Sequence, residues 1–336
     1  MNRDPKIAVV GCGYWGKNLV RNFAQLRALA RICDVDGASA AAQAALFPGV
    51  ASSTGFEDVL SDSEIDGVVL ATPAVMHYEQ CKAALLAGKD VFVEKPLALK
   101  AVEGEDLLRL AAARGRILMV GHILEYHPAV TLLKEFIDRG EFGEIRYLYS
   151  NRLNLGKVRK VENILWSFAP HDVAVICRLA GATPSSVNTS GGAYLQTGVE
   201  DVTVTNLQFE NGIRAHIFVS WLHPFKEQKL VVVGSRKMAV FDDMAREGKL
   251  KIYDKGIEWS AGVAVPRQTS ETTLFLEETE PLRLECSHFL ARIRDRQAPL
   301  TDGASALRVL RVLEASQASL ERGAPVGIAC AAVPGA

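Results

Sequence analysis

The feature that most limits how this chain can fold is a glycine-rich turn near its start, Gly11-Cys12-Gly13-Tyr14-Trp15-Gly16. Residues 6–10 before it are apolar and β-branched and predict a buried strand, whereas residues 18–29 after it carry apolar side chains at helical spacing. In such a strand–turn–helix unit the first glycine permits the tight turn, the second lets a pyrophosphate approach, and the third lets helix and strand pack. The turn therefore predicts a dinucleotide site that includes Gly11, Gly13, Tyr14, Trp15, Gly16 and Asn18.

The second predicted strand, residues 31–35, ends in an acidic residue that lies at about the spacing from Gly11 expected for a carboxylate that binds the adenosine ribose. Asp34 in that place accepts hydrogen bonds from the ribose hydroxyls and repels a 2′-phosphate, which favours NAD over NADP. Asp36 is the alternative for this role. A further alternative is that these acids only cap the next helix.

The pattern up to residue 122 alternates between the two kinds of element. Strands are predicted at 67–71, 90–93 and 117–120, and helices at 38–46, 56–60, 78–87 and 101–114. Alternation at this spacing predicts an α/β fold with an N-terminal Rossmann domain, a doubly wound parallel sheet over residues 1–122.

Residues 123–336 follow a different pattern, in which strands lack long helices between them. We predict a C-terminal α+β domain with a large, mostly antiparallel sheet, used for substrate binding and oligomerisation. Its strands are predicted at 145–152, 203–209, 214–221, 229–234, 238–242 and 250–253, and its helices at 128–138, 169–179, 280–294 and 304–322.

The composition excludes several classes of function. A net charge of −1 offers no basic surface for nucleic acid or an anionic membrane. No apolar stretch is long enough for a membrane span, and the polar start leaves no room for a signal peptide. The cysteines form no C-x-x-C pair and are scattered through apolar segments, which predicts buried, reduced thiols, no metal site and a cytoplasmic location; they are Cys12, Cys33, Cys81, Cys177, Cys286 and Cys330.

A second motif, Glu94-Lys95-Pro96, ends the strand predicted at 90–93. The carboxyl ends of parallel strands face the crevice in which α/β sheets bind ligands. A lysine there can hydrogen-bond a substrate hydroxyl and take part in proton transfer. From the residues alone, a solvated loop lysine is an equal alternative.

The glycine turn, Ala71-Thr72-Pro73 with His77, and Glu94-Lys95-Pro96 together resemble the glucose–fructose oxidoreductase / inositol dehydrogenase (Gfo/Idh/MocA) family over essentially the whole chain. The resemblance implies that the Thr-Pro segment and His77 line the nicotinamide side of NAD and that Lys95 contacts cofactor and substrate. It also implies a catalytic histidine from the second domain, which here matches His171 at the start of a predicted helix. The alternative for His171 is a partly buried structural histidine.

The chain departs from the family pattern at three places. Ser167 stands where many members carry an Asp, and Asp172 either replaces that carboxylate or caps the helix. Glu125 stands where a basic residue is common. His122, after the sixth predicted strand, is expected to contact substrate. The bulky Tyr14 and Trp15 are expected to pack over the pyrophosphate or against Thr72-Pro73.

Residues 150–168 are similar to the subgroup that oxidises C3 of UDP-linked N-acetylglucosamine sugars before amination. Arg152, Asn154 and Trp166 are the expected sugar contacts. The basic residues Lys157, Arg159 and Lys160 suit a diphosphate, although a solvated loop and a core tryptophan are the plain alternatives. Glu125 disfavours a substrate carboxylate, which favours UDP-N-acetylglucosamine over the uronic acid.

The expected function is NAD-dependent oxidation of this nucleotide sugar to the 3-keto sugar for a lipopolysaccharide or glycan pathway, by a homodimer or homotetramer. The alternatives are a dehydrogenase of the uronic acid or of a free sugar or inositol, a hydrolase that uses bound NAD without net redox change, and a non-catalytic dinucleotide sensor.

Overall fold

The structure is a computed structural model that describes residues 4–156, 158–160 and 162–328. The described residues form two compact units. The first unit takes the chain up to Tyr126 together with Thr279–Leu310, and the second unit takes His127–Glu278 and the residues from Arg311 onward.

The elements of the chain up to Tyr126 alternate between strands and helices. They are β1 Ile7–Val10, α1 Gly16–Gln25, β2 Leu29–Cys33, α2 Gly37–Ala44, β3 Ala51–Ser53, α3 Phe56–Leu60, β4 Gly67–Leu70, α4 His77–Leu86, β5 Asp90–Glu94, α5 Ala101–Arg114 and β6 Leu118–Gly121. Short 3₁₀ turns cover Ala74–Met76 and Ile123–Tyr126.

The remaining elements are mostly strands. They are α6 Pro128–Asp138, β7 Ile145–Leu155, α7 Ile164–Ala180, β8 Ser186–Gly192, β9 Val202–Gln208, β10 Arg214–Ser220, β11 Leu222–Gly234, β12 Met238–Asp242, β13 Leu250–Ser260, β14 Val263–Leu274, α8 Pro281–Asp295, α9 Gly303–Arg322 and β15 Val326–Gly327.

The first unit is built on a six-stranded sheet in the order β3-β2-β1-β4-β5-β6, and every neighbouring pair is parallel. β1, β4 and β6 are buried along their whole length, as expected for a parallel sheet covered on both faces. The predicted doubly wound parallel sheet is confirmed. All strands run the same way, so the loops after β1, β4 and β5 meet at one edge.

Helix α8 belongs to the first unit, although the sequence pattern places residues 280–294 in the domain predicted for 123–336. Its Phe289 packs edge-on against Phe92 of β5, with ring centroids 5.6 Å apart, and against Phe23 of α1. Leu282 and Cys286 join the same core. The assignment depends on contacts between residues far apart in sequence, which periodicity does not report.

The second unit contains a nine-stranded sheet in the order β14-β13-β12-β11-β7-β10-β9-β8-β15. Its pairs are antiparallel except for β7 and β10, so the predicted mostly antiparallel sheet is confirmed. Helix α7 packs on β7, β9 and β10. Three of its strands were not predicted. β8 is rich in Gly, Ser and Thr, β14 contains a proline and a long polar run, and β15 has only two residues.

The five described cysteines are buried free thiols, as predicted, and Cys330 lies outside the described residues. Over the part of the chain that the structure describes, none of the helices combines the length and the apolar character needed to cross a membrane.

Candidate functional site

The glycine turn joins β1 to α1 at the carboxyl edge of the parallel sheet. Gly11 has φ +89°, and a Cβ there would lie 2.7 Å from the carbonyl oxygen of Ala71. A Cβ on Gly16 would lie 1.9 Å from the carbonyl oxygen of Gly11, whereas a Cβ on Gly13 would meet nothing within 4 Å. Packing within the protein therefore requires the first and third glycines, and the second leaves open space over the backbone for a ligand.

The start of α1 faces this open space. No side chain caps the helix at its N-cap residue, Trp15, so the positive end of the helix dipole is directed at the turn. Asn18 lies half-buried in the first turn of α1, and Tyr14 is 93% exposed. These features fit a bound pyrophosphate.

Asp34, just after β2, is tied to the turn. Its Oδ2 accepts a hydrogen bond from the Cys12 amide at 2.7 Å, and its Oδ1 accepts one from the Asp36 amide at 2.9 Å. Burial alone would raise the pKa of the Asp34 carboxyl, but these N–H groups outweigh burial and leave the pKa lowered, so the group is ionised at neutral pH. Asp36 instead caps α2 by accepting from Ala38 and Ser39, so Asp34 is the acid that faces the cofactor turn.

The segment after β4 is held by His77, the first residue of α4. Its Nε2 lies 2.9 Å from the carbonyl oxygen of Thr72, and its Nδ1 lies 2.7 Å from the carbonyl oxygen of Pro96. Thr72 also donates its hydroxyl to Gln80 at 2.5 Å. Burial lowers the pKa of His77 despite the two carbonyls, which raise it. The buried imidazole therefore connects the segment Ala71-Thr72-Pro73 to the segment that carries Lys95.

Lys95 follows β5 directly, and the Lys95–Pro96 peptide bond is cis. The charge of Lys95 lowers the pKa values of His77 and His122, although burial is the larger cause for both. His122, directly after β6, is buried, and its pKa is about 3. The lysine at the sheet edge is thus next to two imidazoles that stay neutral at physiological pH.

Trp15, which was expected to pack over the pyrophosphate or against Thr72-Pro73, makes a hydrogen bond that was not predicted. Its indole Nε1 donates to Oε1 of Glu94 at 2.6 Å. This contact joins the glycine turn to the Glu94-Lys95-Pro96 motif, so both residues lie at the predicted cofactor site.

Sequence reasoning missed Glu285 of α8, a carboxylate buried inside the first unit. Its side chain is 0% exposed, and neither carboxylate oxygen has a hydrogen-bond partner among the described residues. Burial raises the pKa of Glu285 well above its usual value, and the charges of Glu94 and Glu125 raise it further. The sequence feature that could have revealed Glu285 is the position of this glutamate on the apolar face of α8, between Leu282 and Phe289.

In the second unit His171 lies within α7 rather than at its start. The helix begins at Ile164 because Asn163 caps it by accepting from the amide of Trp166 at 3.3 Å. Ser167 precedes His171 by one turn and is buried. Pro170, which the sequence pattern placed in the first turn of the helix predicted at 169–179, lies in the interior of α7.

Asp172, the residue after His171, is anchored to β7. Its carboxylate accepts from Nε of Arg152 at 2.8 Å, from Nη2 of Arg152 at 3.2 Å and from the hydroxyl of Ser150. Asp172 is therefore not a helix cap. Together with Arg152, which the sequence predicted as a sugar contact, Asp172 holds α7 on the sheet.

The other predicted sugar contacts have different surroundings. Asn154 on β7 has a buried Oδ1 without a hydrogen-bond partner among the described residues, a side-chain position that Gly156 makes possible by having no Cβ. Trp166 on α7 is half-buried and donates its indole N–H to Gln317 at 3.2 Å. Arg159 and Lys160 are exposed, and Lys157 lies outside the described residues.

Known protein families match residues in both units. Residues 5–122 match a family described as "Oxidoreductase family, NAD-binding Rossmann fold", and residues 130–240 match the "GFO/IDH/MocA C-terminal domain". The UDP-N-acetylglucosamine 3-dehydrogenase of Acidithiobacillus ferrooxidans is 28% identical over 94% of this chain and 99% of its own. Its solved structure has a TM-score of 0.83 at 25% identity, covering 94% of this chain and 97% of that one.

Two further relatives extend the comparison. A solved oxidoreductase from Magnetospirillum magnetotacticum MS-1 is 30% identical, covers 93% of this chain and 99% of its own, and has a TM-score of 0.80. The inositol 2-dehydrogenase of Rhodococcus erythropolis is 30% identical over 65% of this chain and 66% of its own. The two matching domains and these full-length similarities show that the chain is an oxidoreductase of the Gfo/Idh/MocA family, with an NAD-binding Rossmann unit.

Proposed function

We propose that this enzyme oxidises the C3 hydroxyl of a UDP-linked N-acetylglucosamine sugar to the 3-keto sugar, using NAD. The observation that carries the proposal is the similarity to the UDP-N-acetylglucosamine 3-dehydrogenase along nearly the full length of both chains. A 3-keto sugar is the substrate that an aminating reaction needs, which supports a proposed role in 3-amino-sugar synthesis for lipopolysaccharide or another glycan.

The residues of the first unit fit NAD. Gly13 and the start of α1 would hold the pyrophosphate, and the ionised Asp34 would accept from the adenosine ribose. Bound NAD supplies the hydride acceptor for the sugar carbon. Thr72, Pro73 and Lys95 would define its nicotinamide end.

Two side chains carry the proton chemistry in this proposal. His171 accepts the proton of the substrate hydroxyl, since a neutral imidazole nitrogen is a suitable base near neutral pH. Lys95 donates a hydrogen bond to the same oxygen and stabilises the negative charge that develops on it. The Asp172–Arg152 pair supports the base by fixing the turn of α7 next to His171.

Sugar recognition is proposed for further polar and aromatic side chains of the two units. The buried Oδ1 of Asn154 would accept from a sugar hydroxyl or the acetamido N–H, which would satisfy an acceptor that the protein leaves without a partner. His122 and the aromatic face of Trp166 are further proposed contacts, while Arg159, Lys160 and Lys157 are proposed for the diphosphate. Arg152 contributes mainly through Asp172.

A substrate panel tests the proposal. UDP-N-acetylglucosamine, its uronic acid, free N-acetylglucosamine and myo-inositol would each be given with NAD, and NADH absorbance followed. UDP-N-acetylglucosamine should give the highest kcat/KM. Lys95→Ala and His171→Ala should each lower turnover by about two orders of magnitude or more while NAD still binds. Near-normal turnover in both variants would overturn the catalytic assignment.

The inositol 2-dehydrogenase similarity supports a second candidate, oxidation of a free polyol or sugar. Turnover of myo-inositol without turnover of either nucleotide sugar would establish it. Release of a leaving group without net NADH would instead identify a non-redox reaction, and cofactor binding without turnover of any panel member would identify a sensor.

We also propose that the enzyme is a cytoplasmic homodimer or homotetramer. One face of the second-unit sheet presents half-buried aromatic side chains, in which Tyr149 and His216 stack with ring centroids 5.1 Å apart and Tyr147 packs against both. A second copy that covers this face would bury them. Light scattering of the wild type and of Tyr149→Glu tests this, because the variant should be monomeric.

A further inference from the structure

The link between Trp15 and Glu94 crosses the edge of the sheet where the cofactor is proposed to bind. β1 and β5 are separated by β4 in the sheet, so the indole that donates to Glu94 spans the carboxyl end of β4. A dinucleotide whose pyrophosphate lies on the glycine turn and whose nicotinamide lies near Lys95 must follow the same edge. The Glu94 carboxylate is therefore next to the nicotinamide half of the site.

The position of the Glu94 carboxylate is defined on its other side by Gly121. These residues are direct partners in the β5–β6 register. A Cβ on Gly121 would lie 3.0 Å from Cδ, Oε1 and Oε2 of Glu94, so the carboxyl group rests against the glycine. Glu94 is thus held between the Trp15 N–H and the backbone of β6.

Charges around Glu94 act in opposite directions. The Lys95 ammonium and the Trp15 N–H favour the ionised carboxylate. The fully buried Glu285 on α8 interacts with the charges of Glu94 and Glu125. The titratable groups that interact electrostatically with Glu94, Lys95 or Glu285 are His77, His122, Glu125, Tyr126 and Cys286.

We propose that Glu94, positioned by the indole N–H of Trp15, sets the charge beside the nicotinamide and so makes the preference for oxidised over reduced cofactor depend on pH. The inference rests on the proposed cofactor position. The nicotinamide ring of NAD⁺ carries a positive charge that NADH lacks, so an ionised Glu94 stabilises the NAD⁺ complex selectively. A protonated Glu94 removes that selectivity.

The pKa of Glu94 lies where a change in its charge would alter cofactor preference near neutral pH. Burial raises the pKa of Glu94 to about 7, against the opposing effects of Trp15 and Lys95. Burial lowers the pKa of His122 to about 3 and raises the pKa values of Glu285 and Cys286 well above their usual values, so these three groups stay neutral as Glu94 titrates. Burial also lowers the pKa of His77. The affinity for NAD⁺ relative to NADH therefore rises as pH rises through about 7.

The test measures dissociation constants of both cofactors between about pH 5.5 and 8.5, by calorimetry for NAD⁺ and by energy transfer from tryptophan for NADH. In the wild type, Kd(NAD⁺)/Kd(NADH) should fall by about three- to tenfold across this range. In Glu94→Gln the ratio should be independent of pH. In Trp15→Phe the fall should move to higher pH, because loss of the donor raises the pKa of Glu94. Because the readout is the ratio of the two dissociation constants, a variant that loses affinity equally for both cofactors leaves it unchanged.

Glu57→Gln and Trp259→Phe are the matched controls, since both side chains are exposed, Glu57 on α3 and Trp259 on β13; they should keep the wild-type profile. An unchanged pH dependence in Glu94→Gln, or an unmoved midpoint in Trp15→Phe, would overturn the inference. Failure of both cofactors to bind the wild type would overturn the proposed cofactor position as well. Binding of both with a ratio that does not vary with pH would overturn the inference alone.

Discussion

The guanidinium of Arg152 and the carboxylate of Asp172 form a two-point ion pair between β7 and α7, with Nε–Oδ2 and Nη2–Oδ1 distances of 2.8 and 3.2 Å. Asp172 is almost completely buried, and the Arg152 side chain is 13% exposed. The pair connects the sheet of the second unit to the helix turn that carries His171. The pair therefore has a structural role in holding α7 on β7.

Removing one partner should destabilise the fold. Arg152→Met leaves the Asp172 carboxylate buried without its counter-charge, which should lower the free energy of unfolding by about 3–5 kcal/mol. Denaturant unfolding followed by circular dichroism measures this. Arg159→Met, which removes an exposed basic residue nearby in sequence, should leave the free energy of unfolding unchanged. Unchanged stability of Arg152→Met with a raised KM for the sugar would instead place Arg152 in direct substrate binding.

The choice between NAD and NADP should depend on Asp34. Asp34→Asn keeps an acceptor for the Cys12 amide but removes the negative charge. The affinity for NAD should therefore fall by about tenfold, and the variant should bind NADP more tightly than the wild type does. Cofactor titration measures both. Asp36→Asn is the control, because Asp36 caps α2 and should affect thermal stability without changing the cofactor ratio. Equal effects of the two substitutions would contradict the assignment of Asp34.

His77 should matter through the two carbonyls that it connects. His77→Phe removes the imidazole that lies between the carbonyls of Thr72 and Pro96 and leaves the carbonyl that accepts its N–H without a donor, which should lower stability by about 1–3 kcal/mol. Turnover should fall more than NAD affinity, because Lys95 precedes Pro96 and loses its fixed position. His77→Gln retains one donor group and should restore part of both losses. A His77→Phe enzyme with normal kcat would show that this connection does not position Lys95.

Glu285 should make the fold less stable at high pH. Its folded-state pKa is raised well above the usual value, so the native state keeps a proton that the unfolded state releases. Stability is then fully present below the unfolded pKa and declines by up to about 1.4 kcal/mol per pH unit as pH rises toward the folded pKa. Glu285→Gln carries no such proton and should be more stable than the wild type at pH 8, with a smaller difference at pH 5.

Chemical denaturation at both pH values measures the difference, and the exposed Glu57→Gln provides the matched control. If Glu285→Gln were less stable than the wild type at pH 8, the carboxylate would have a stabilising partner, and the buried neutral acid would be ruled out.

Several parts of this protein followed from the sequence alone. The alternation of strands and helices predicted the Rossmann unit, because the hydrophobic period of each element is a local property. The glycine spacing predicted the roles of Gly11, Gly13 and Gly16, since each depends on the backbone within one strand–turn–helix unit. The position of Asp34 after β2 followed for the same reason.

Only the tertiary structure decided the rest, because it depends on contacts between distant segments. Phe289 joins the core beside Phe92 and so assigns α8 to the first unit. Arg152 faces Asp172 because β7 packs under α7. Trp15 reaches Glu94 because β1 and β5 lie on either side of β4, a neighbour relationship that sheet order sets and sequence spacing does not. Local pattern determined which elements form, and packing determined which side chains meet.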